Sequence, residues 1–101
     1  MSLVRIGPAA SIPAGEMRES IIFGTSYAIC NVGGDYYAAS VTCPHLGAPL
    51  AYGALHENII VCPWHAWEFD CRTGRNTVDP EVKLETFTVE QRDEDLFIHL
   101  D

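Results

Sequence analysis

The sequence has few basic residues: six Lys and Arg stand against fourteen Asp and Glu, which gives a formal net charge of -8. A surface this acidic repels the phosphates of nucleic acids and of anionic membranes, so neither is expected as a partner. The charge favours a partner protein with a basic surface.

Long apolar runs are also missing. No stretch approaches the roughly 18 residues that a membrane-spanning helix needs. Residues 1–7 lack the apolar core and the cleavage site of a secretory signal. We therefore expect a cytoplasmic protein in a reducing compartment, where the four Cys indicate metal ligands or buried thiols before disulfides.

Helical periodicity is absent from every segment of ten or more residues. Short strand signals bounded by turn residues are present instead, and Leu96, Ile98 and Leu100 alternate in a clean period of two. A change of phase between Leu84 and Phe87 predicts a bulge near Thr86. The predicted strands cover residues 3–6, 16–23, 27–32, 36–42, 58–61, 66–69, 82–89 and 96–100, with a hairpin over 16–32.

These signals predict an all-β fold, a small antiparallel β sandwich or open barrel. A chain of 101 residues has the length of one domain and is too short for a cofactor domain plus a catalytic domain. We therefore expect a single domain that spans residues 1–101.

Two stretches, residues 43–55 and 62–76, have the composition of loops and include three of the six Pro and both Trp. Long loops in a compact domain are usually functional. The first begins Cys43-Pro44-His45 and the second begins Cys62-Pro63-Trp64-His65, with sixteen residues between His45 and Cys62. We call residues 43–50 the first arm and residues 62–70 the second arm. Each offers one thiolate and one imidazole, which predicts a metal site.

The pairing of ligand types bears on which metal binds. Zinc accepts two Cys and two His, but common zinc fingers pair Cys with Cys and His with His along the sequence. Mixed arms suit a two-metal cluster in which one metal takes both thiolates and the other takes both imidazoles, and these ligands suit iron. A zinc-stapled interaction module with no redox role stays open as an alternative.

The arms and their flanks resemble the Rieske [2Fe–2S] proteins, in which two His replace two Cys on one iron. The resemblance includes residues 46–50, residues 67–70 and Thr73-Gly74, and it extends to framework segments 12–16 and 31–38, as in small bacterial Rieske ferredoxins. It covers nearly the whole chain. It implies a Rieske-type sandwich or open barrel with a small cluster-binding subdomain made of two loops, about 43–55 and 62–76.

The resemblance also implies which residues bind the cluster and what function the chain has. Cys43 and Cys62 would bind one iron of a single [2Fe–2S] cluster, and His45 and His65 would bind the outer iron. The chain would be an electron carrier and not an enzyme, with no catalytic residue. It would act as a monomer and pass single electrons from a flavin-dependent reductase to a terminal oxygenase such as an aromatic-ring dioxygenase.

Within redox chemistry one alternative function stays open and another is excluded. A small Rieske subunit of a nitrite-reductase-like enzyme is the alternative. An oxygenase in its own right needs a second, mononuclear iron site with two His and a carboxylate. Only His56 and His99 remain for such a site, so we reject that reading.

The resemblance carries an expectation about the reduction potential. High-potential members have a disulfide between the arms and place a Ser and a Tyr hydroxyl against cluster sulfur. The matching positions here hold Ala48 and Trp64, and then Trp67 and Phe69. Missing donors leave the more negative, reduced state less stabilised, so we expect a potential near the low end of the Rieske range, roughly −150 mV.

Four further residues receive an interpretation. Cys30 and Cys71 are expected to be buried thiols and not ligands. Glu57 and Glu68 are the acidic residues nearest the arms in sequence, and we expect them to influence docking with a partner more than the distant Glu16.

Overall fold

The computed structural model describes residues 2–40, 54–61, 68–79 and 81–100. Apart from one 3₁₀ turn, Ala9–Ser11, the regular elements in these ranges are strands, which confirms the predicted all-β class. The strands are β1 (Ser2–Pro8), β2 (Met17–Ile22), β3 (Thr25–Val32), β4 (Asp35–Ser40), β5 (Ala54–His56), β6 (Ile59–Val61), β7 (Glu68–Asp70), β8 (Thr86–Arg92) and β9 (Asp95–Leu100).

The strands form two antiparallel sheets. The large sheet has the order β1-β9-β8-β4-β3-β2, and the small sheet has the order β5-β6-β7. The strands β4 and β8 are neighbours in the large sheet, with Ala39 opposite Thr86. The small sheet is therefore an excursion of the chain between two paired strands of the large one.

The predicted hairpin over residues 16–32 is confirmed. The strands β2 and β3 pair from Met17 opposite Cys30 to Ile22 opposite Thr25. Phe23 and Gly24 make the turn with φ angles of 52° and 80°. Two consecutive residues with positive φ match the right-handed twist of the strands that they join.

The prediction of a bulge near Thr86 is wrong. Strand β8 begins at Thr86, and the preceding residues form a separate segment in which Lys83 pairs with Arg75 as an isolated bridge. The change of hydrophobic phase thus marks the boundary between two segments. A register shift does occur in β1, between Arg5 and Gly7.

Strands β3 and β4 are buried on both faces, which explains their nearly continuous run of small and apolar residues. Ile29 and Ala38 face a core closed by residues from β2 and β9, among them Ile22, Leu96 and Ile98. Cys30 and Ala39 face a second core, shared with Ile60 and Phe69 of the small sheet. The large sheet therefore serves as the base on which the small sheet rests.

No helix among the described residues has the length and apolar character needed to cross a membrane.

Candidate metal centre

The ligands expected from the sequence, Cys43, His45, Cys62 and His65, lie outside the described residues. The structure does describe the small sheet, into which both arms lead along the chain. Ala54 comes after the first arm, Val61 directly precedes Cys62 at the start of the second, and Glu68 lies within the second, three residues after His65. Ala54 pairs with Val61, and Val61 pairs with Glu68, so these residues beside and within the two arms lie side by side. We call this edge of the small sheet the arm end.

The small sheet is anchored by one row of side chains. Leu55, Ile60 and Phe69 are opposite one another across its three strands. Ile60 and Phe69 are fully buried, and Leu55 packs beside them against the second core. Strands of three residues have little independent stability, so this burial on the large sheet is what fixes their position.

Residues beyond β7 extend the small sheet. The Thr77 amide donates to the Glu68 carbonyl at 3.0 Å, and the Thr77 hydroxyl lies 3.4 Å from Glu68 Oε1. Asn76 Oδ1 accepts hydrogen bonds from the amides of Val78 and Asp79, both at 2.9 Å. These bonds place Val78, whose side chain is 89% exposed, one residue from the arm end.

The turn after β7 is held by Asp70 and Arg72. Asp70 Oδ1 accepts from the Arg72 amide at 2.9 Å and from Arg72 Nε at 3.1 Å, and Oδ2 lies 3.0 Å from Arg72 Nη2. The Arg72 guanidinium keeps the pKa of the Asp70 carboxyl below its usual value. The same turn closes when the Gly74 amide donates to the Asp70 carbonyl at 2.6 Å. Nothing in the sequence spacing pointed to this network.

The structure also locates two cysteines and two acidic residues that the sequence singled out. Cys30 and Cys71 are free and buried, which confirms the interpretation as buried thiols. Glu68 lies at the arm end, but Glu57 sits in the β5–β6 turn, at the opposite end of the small sheet. Glu57 is close to the arms in sequence but not at the arm end, because the turn of the β5–β6 hairpin lies at the opposite end from Ala54 and Val61.

The two histidines without a predicted role are also located. His56 is exposed beside the same turn, and His99 Nε2 lies 3.1 Å from Glu90 Oε1. Within the described ranges, no three His, Cys, Asp or Glu side chains come together as a metal site.

The donor set fits a cluster of the mixed-ligand type. Two thiolates and two imidazoles, one of each from either arm, match the two Cys and two His that such a cluster needs. The paired strand ends at the arm end give both arms a common base. The described part of the chain offers no competing donor set.

Comparison with known proteins agrees with this fit. The Rieske [2Fe-2S] domain family matches residues 2–88, a range that includes both arms. The ferredoxin component of biphenyl 2,3-dioxygenase from Rhodococcus jostii (strain RHA1) is 31% identical over 102 residues, which cover 100% of this chain and 95% of the relative. The 3-phenylpropionate/cinnamic acid dioxygenase ferredoxin subunit of Escherichia coli (strain K12) is 35% identical over 104 residues, which cover 99% and 95%.

A solved structure supports the fold. A chain in the complex of reduced oxygenase and oxidized ferredoxin in carbazole 1,9a-dioxygenase superposes with a TM-score of 0.87 at 28% identity, covering 95% of this chain and 91% of that one. The fold, the mixed donor set and the family match over most of the sequence agree. The chain belongs to the Rieske [2Fe–2S] domain family, and its cofactor is a Rieske-type [2Fe–2S] cluster.

Proposed function

We propose that this chain is a one-electron carrier that passes electrons from a flavin-dependent reductase to the terminal oxygenase of an aromatic-ring dioxygenase. The observation that carries the proposal is the end-to-end match to two proteins named as ferredoxin parts of dioxygenases, which covers 95% of each relative. A match of that extent leaves those relatives no room for a further catalytic domain, which supports a carrier and not an enzyme.

The proposed ligands are Cys43 and Cys62 on one iron and His45 and His65 on the other. The donor types, their order in the two arms and the paired strand ends at the arm end support this set. When bound, the cluster supplies one reversible electron. The chain's own contribution is to hold the two arms on one base, because the row Leu55, Ile60 and Phe69 fixes the small sheet against the large one.

The proposed domain organisation is a single domain over residues 1–101 with cluster-binding loops at about 43–55 and 62–76. Strands from both ends of the chain share the large sheet, which supports one unit. Ala54–His56 and Glu68–Asp70 are strands within those bounds, so regular structure reaches further into the subdomain than its loop-like composition indicated.

The proposed setting is the cytoplasm, with the carrier as a monomer. The free thiols Cys30 and Cys71 support this compartment, since reducing conditions keep thiols unpaired. An oxygenase is favoured over a nitrite-reductase-like partner because both relatives described above belong to dioxygenases.

The ligand set is tested by a pair of histidine variants. We expect His65→Ala to abolish the Rieske electron paramagnetic resonance signal of the reduced protein, because one iron loses an imidazole. His56→Ala is the matched control, since His56 is exposed at the end of the small sheet away from the arms, and it should keep the signal. An unchanged signal in His65→Ala would remove His65 from the ligand set, and a colourless protein that contains zinc would reject the cluster.

The carrier role is tested by stopped flow. The reduced protein is mixed with the oxidised oxygenase of the 3-phenylpropionate/cinnamic acid system, and in a parallel run with a nitrite reductase. Rapid reoxidation by the oxygenase, with one electron delivered per carrier, is the expected result. Transfer to the nitrite reductase alone would favour the alternative.

A further inference from the structure

Cys30 and Cys71 are distant in sequence and meet in the second core. Cys30 belongs to β3 of the large sheet, and Cys71 is the first residue after β7 of the small sheet. Their exposed fractions are 0% and 1%, and both belong to one cluster with Ile60 and Phe69. The two thiols are hydrogen-bonded to each other. Their sulfur atoms are therefore neighbours across the boundary between the sheets.

One of the two thiols borders a surface pocket. The pocket has a volume of about 310 Å³, and its lining includes Cys71, Arg72, Tyr37 and Thr88. Cys30 does not line this pocket, but its cross-strand partner Tyr37 does. The Cys71 amide donates to the Asn58 carbonyl at 2.8 Å, which fixes the backbone of this wall. A small oxidant in the pocket is thus brought up to Cys71, while Cys30 lies behind it.

The surroundings make the two thiols unequal. The hydrogen bond from Cys30 lowers the pKa of Cys71, burial and Asp70 oppose this change, and the Arg72 guanidinium supports it. The same hydrogen bond, with burial, raises the pKa of Cys30. Cys71, the cysteine that lines the pocket, therefore has the lower pKa of the two, and the thiolate is the form of cysteine that attacks an oxidant.

We propose that Cys71 and Cys30 are a peroxide-sensitive dithiol that oxidises reversibly to a disulfide between the small and the large sheet. The Cys71 thiolate attacks one oxygen of hydrogen peroxide, the O–O bond breaks, and the hydroxide that leaves takes up a proton as water. The Cys71 sulfenic acid is then attacked by the Cys30 sulfur, which gives up its proton. The S–S bond forms, the S–O bond breaks, and a second water leaves. The two sulfurs together lose two electrons, and the peroxide gains them.

Such a bond would enclose both arms. The segment between Cys30 and Cys71 contains Cys43, His45, Cys62 and His65, so the disulfide would close a covalent loop around the cluster-binding excursion. Neither cysteine is a proposed ligand, and the proposal does not depend on which partner receives the electron. The oxidised form would tie the base of the small sheet to β3.

The test uses the protein with its cluster bound. It is treated with stepwise additions of hydrogen peroxide while visible absorbance follows the cluster, and it is then denatured, alkylated and mapped by peptide mass spectrometry. The expected result is a linked Cys30–Cys71 peptide, lighter by two hydrogen atoms, that forms before the cluster bleaches and disappears with dithiothreitol. Unlinked, alkylated Cys30 and Cys71 at a peroxide level that already bleaches the cluster would overturn the proposal.

Two variants assign the order of the steps. Cys30→Ala should stop at the sulfenic acid on Cys71, which dimedone labels, because the second sulfur is gone. Cys71→Ala should leave Cys30 without a dimedone adduct, because Cys30 lies behind the residue that faces the pocket. Labelling of Cys30 in Cys71→Ala, with none of Cys71 in Cys30→Ala, would overturn the assigned roles. If either variant fails to fold, the linked peptide in the unaltered protein still decides the proposal.

Discussion

At the scale of single residues, Gly74 closes the turn that follows β7. Its φ of 81° lies in the left-handed region, and its carbonyl accepts from the Leu84 amide at 2.7 Å. A Cβ at this position would lie 2.3 Å from the Leu84 carbonyl oxygen and 2.9 Å from Thr86 Cγ2. Both the backbone angle and the space at Gly74 therefore require glycine.

We expect Gly74→Ala to lower the free energy of unfolding by about 3 kcal/mol, as the sum of left-handed strain and overpacking. Gly15→Ala is the matched control, because Gly15 has a φ of 85° with nothing within 4 Å of the added Cβ. It should lose about 1 kcal/mol, from strain alone. Urea unfolding of the cluster-bound proteins measures the difference, and equal losses would show that the contact with Leu84 relaxes at little cost.

Phe69 bears on the reduction potential. By the resemblance described above, Phe69 occupies the position at which high-potential Rieske proteins have a Tyr. Its side chain is fully buried in the second core. We expect Phe69→Tyr to raise the potential, because a hydroxyl donor to cluster or ligand sulfur stabilises the reduced state. Voltammetry measures the shift in potential, which we expect to start from roughly −150 mV in the unaltered protein.

The control for this change is Phe87→Tyr. Phe87 packs against the other core and makes an edge-to-face contact with Tyr27, at a centroid distance of 5.2 Å. Phe87→Tyr should therefore leave the reduction potential unchanged. A midpoint well above zero in the unaltered protein would contradict the low-potential expectation.

At the scale of elements, the small sheet separates Glu57 and Glu68, the two acidic residues nearest the arms in sequence. Glu68 begins β7 at the arm end, and Glu57 lies at the far turn with a positive φ of 57°. Both side chains are exposed. The pair therefore allows charge near the arms to be compared with the same charge at the other end of one sheet.

We expect Glu68→Lys to slow electron transfer to the oxygenase several-fold and Glu57→Lys to leave it nearly unchanged, if the acidic surface near the arms steers the encounter with a basic partner. Stopped-flow rates at increasing ionic strength measure this effect, since the Debye length is about 10 Å at 0.1 M salt. The Glu68→Lys and unaltered rates should converge as salt is added. Rates independent of ionic strength would reject steering and leave the acidity as an aid to solubility.

The elements also show how far the sequence could be read. The hairpin over β2 and β3 and the period of two in β9 were predictable, because each depends on neighbours along the chain. The meeting of Cys30 with Cys71 was not, because strand order decides it. The phase change before Thr86 is visible in the sequence, but a bulge and a strand boundary give the same pattern, so the sequence alone does not distinguish them. The ligand residues carried a specific motif, yet they stay a prediction, as they lie outside the described residues.

At the scale of the whole molecule, the core inside the large sheet owes nothing to the small one. Its buried members come from β2, β3, β4, β9 and residues 9–12, and none comes from the described residues 54–61 and 68–70. The second core, by contrast, joins Ile60 and Phe69 to Cys30 and Ala39. The two regions should therefore respond differently to loss of the cluster.

We expect removal of iron to lower the melting temperature and to abolish amide protection at Ile60 and Cys71, because ligand binding contributes to folding only where the arms are anchored. Protection at Ile29 and Ile98 should persist. Hydrogen exchange of the iron-free protein measures both. Simultaneous loss of protection in the two regions would show that they unfold as one unit.

The pairing of β4 with β8 has a consequence for engineering. Ala39 and Thr86 lie opposite each other, so the chain leaves the large sheet and comes back to it at neighbouring positions about 5 Å apart. The segment between them therefore has its two ends side by side, as an inserted domain does. We expect that this segment can be joined to a scaffold that offers two adjacent antiparallel strand ends and an apolar surface for Ile60 and Phe69. The host would receive a redox module without rearranging its own topology.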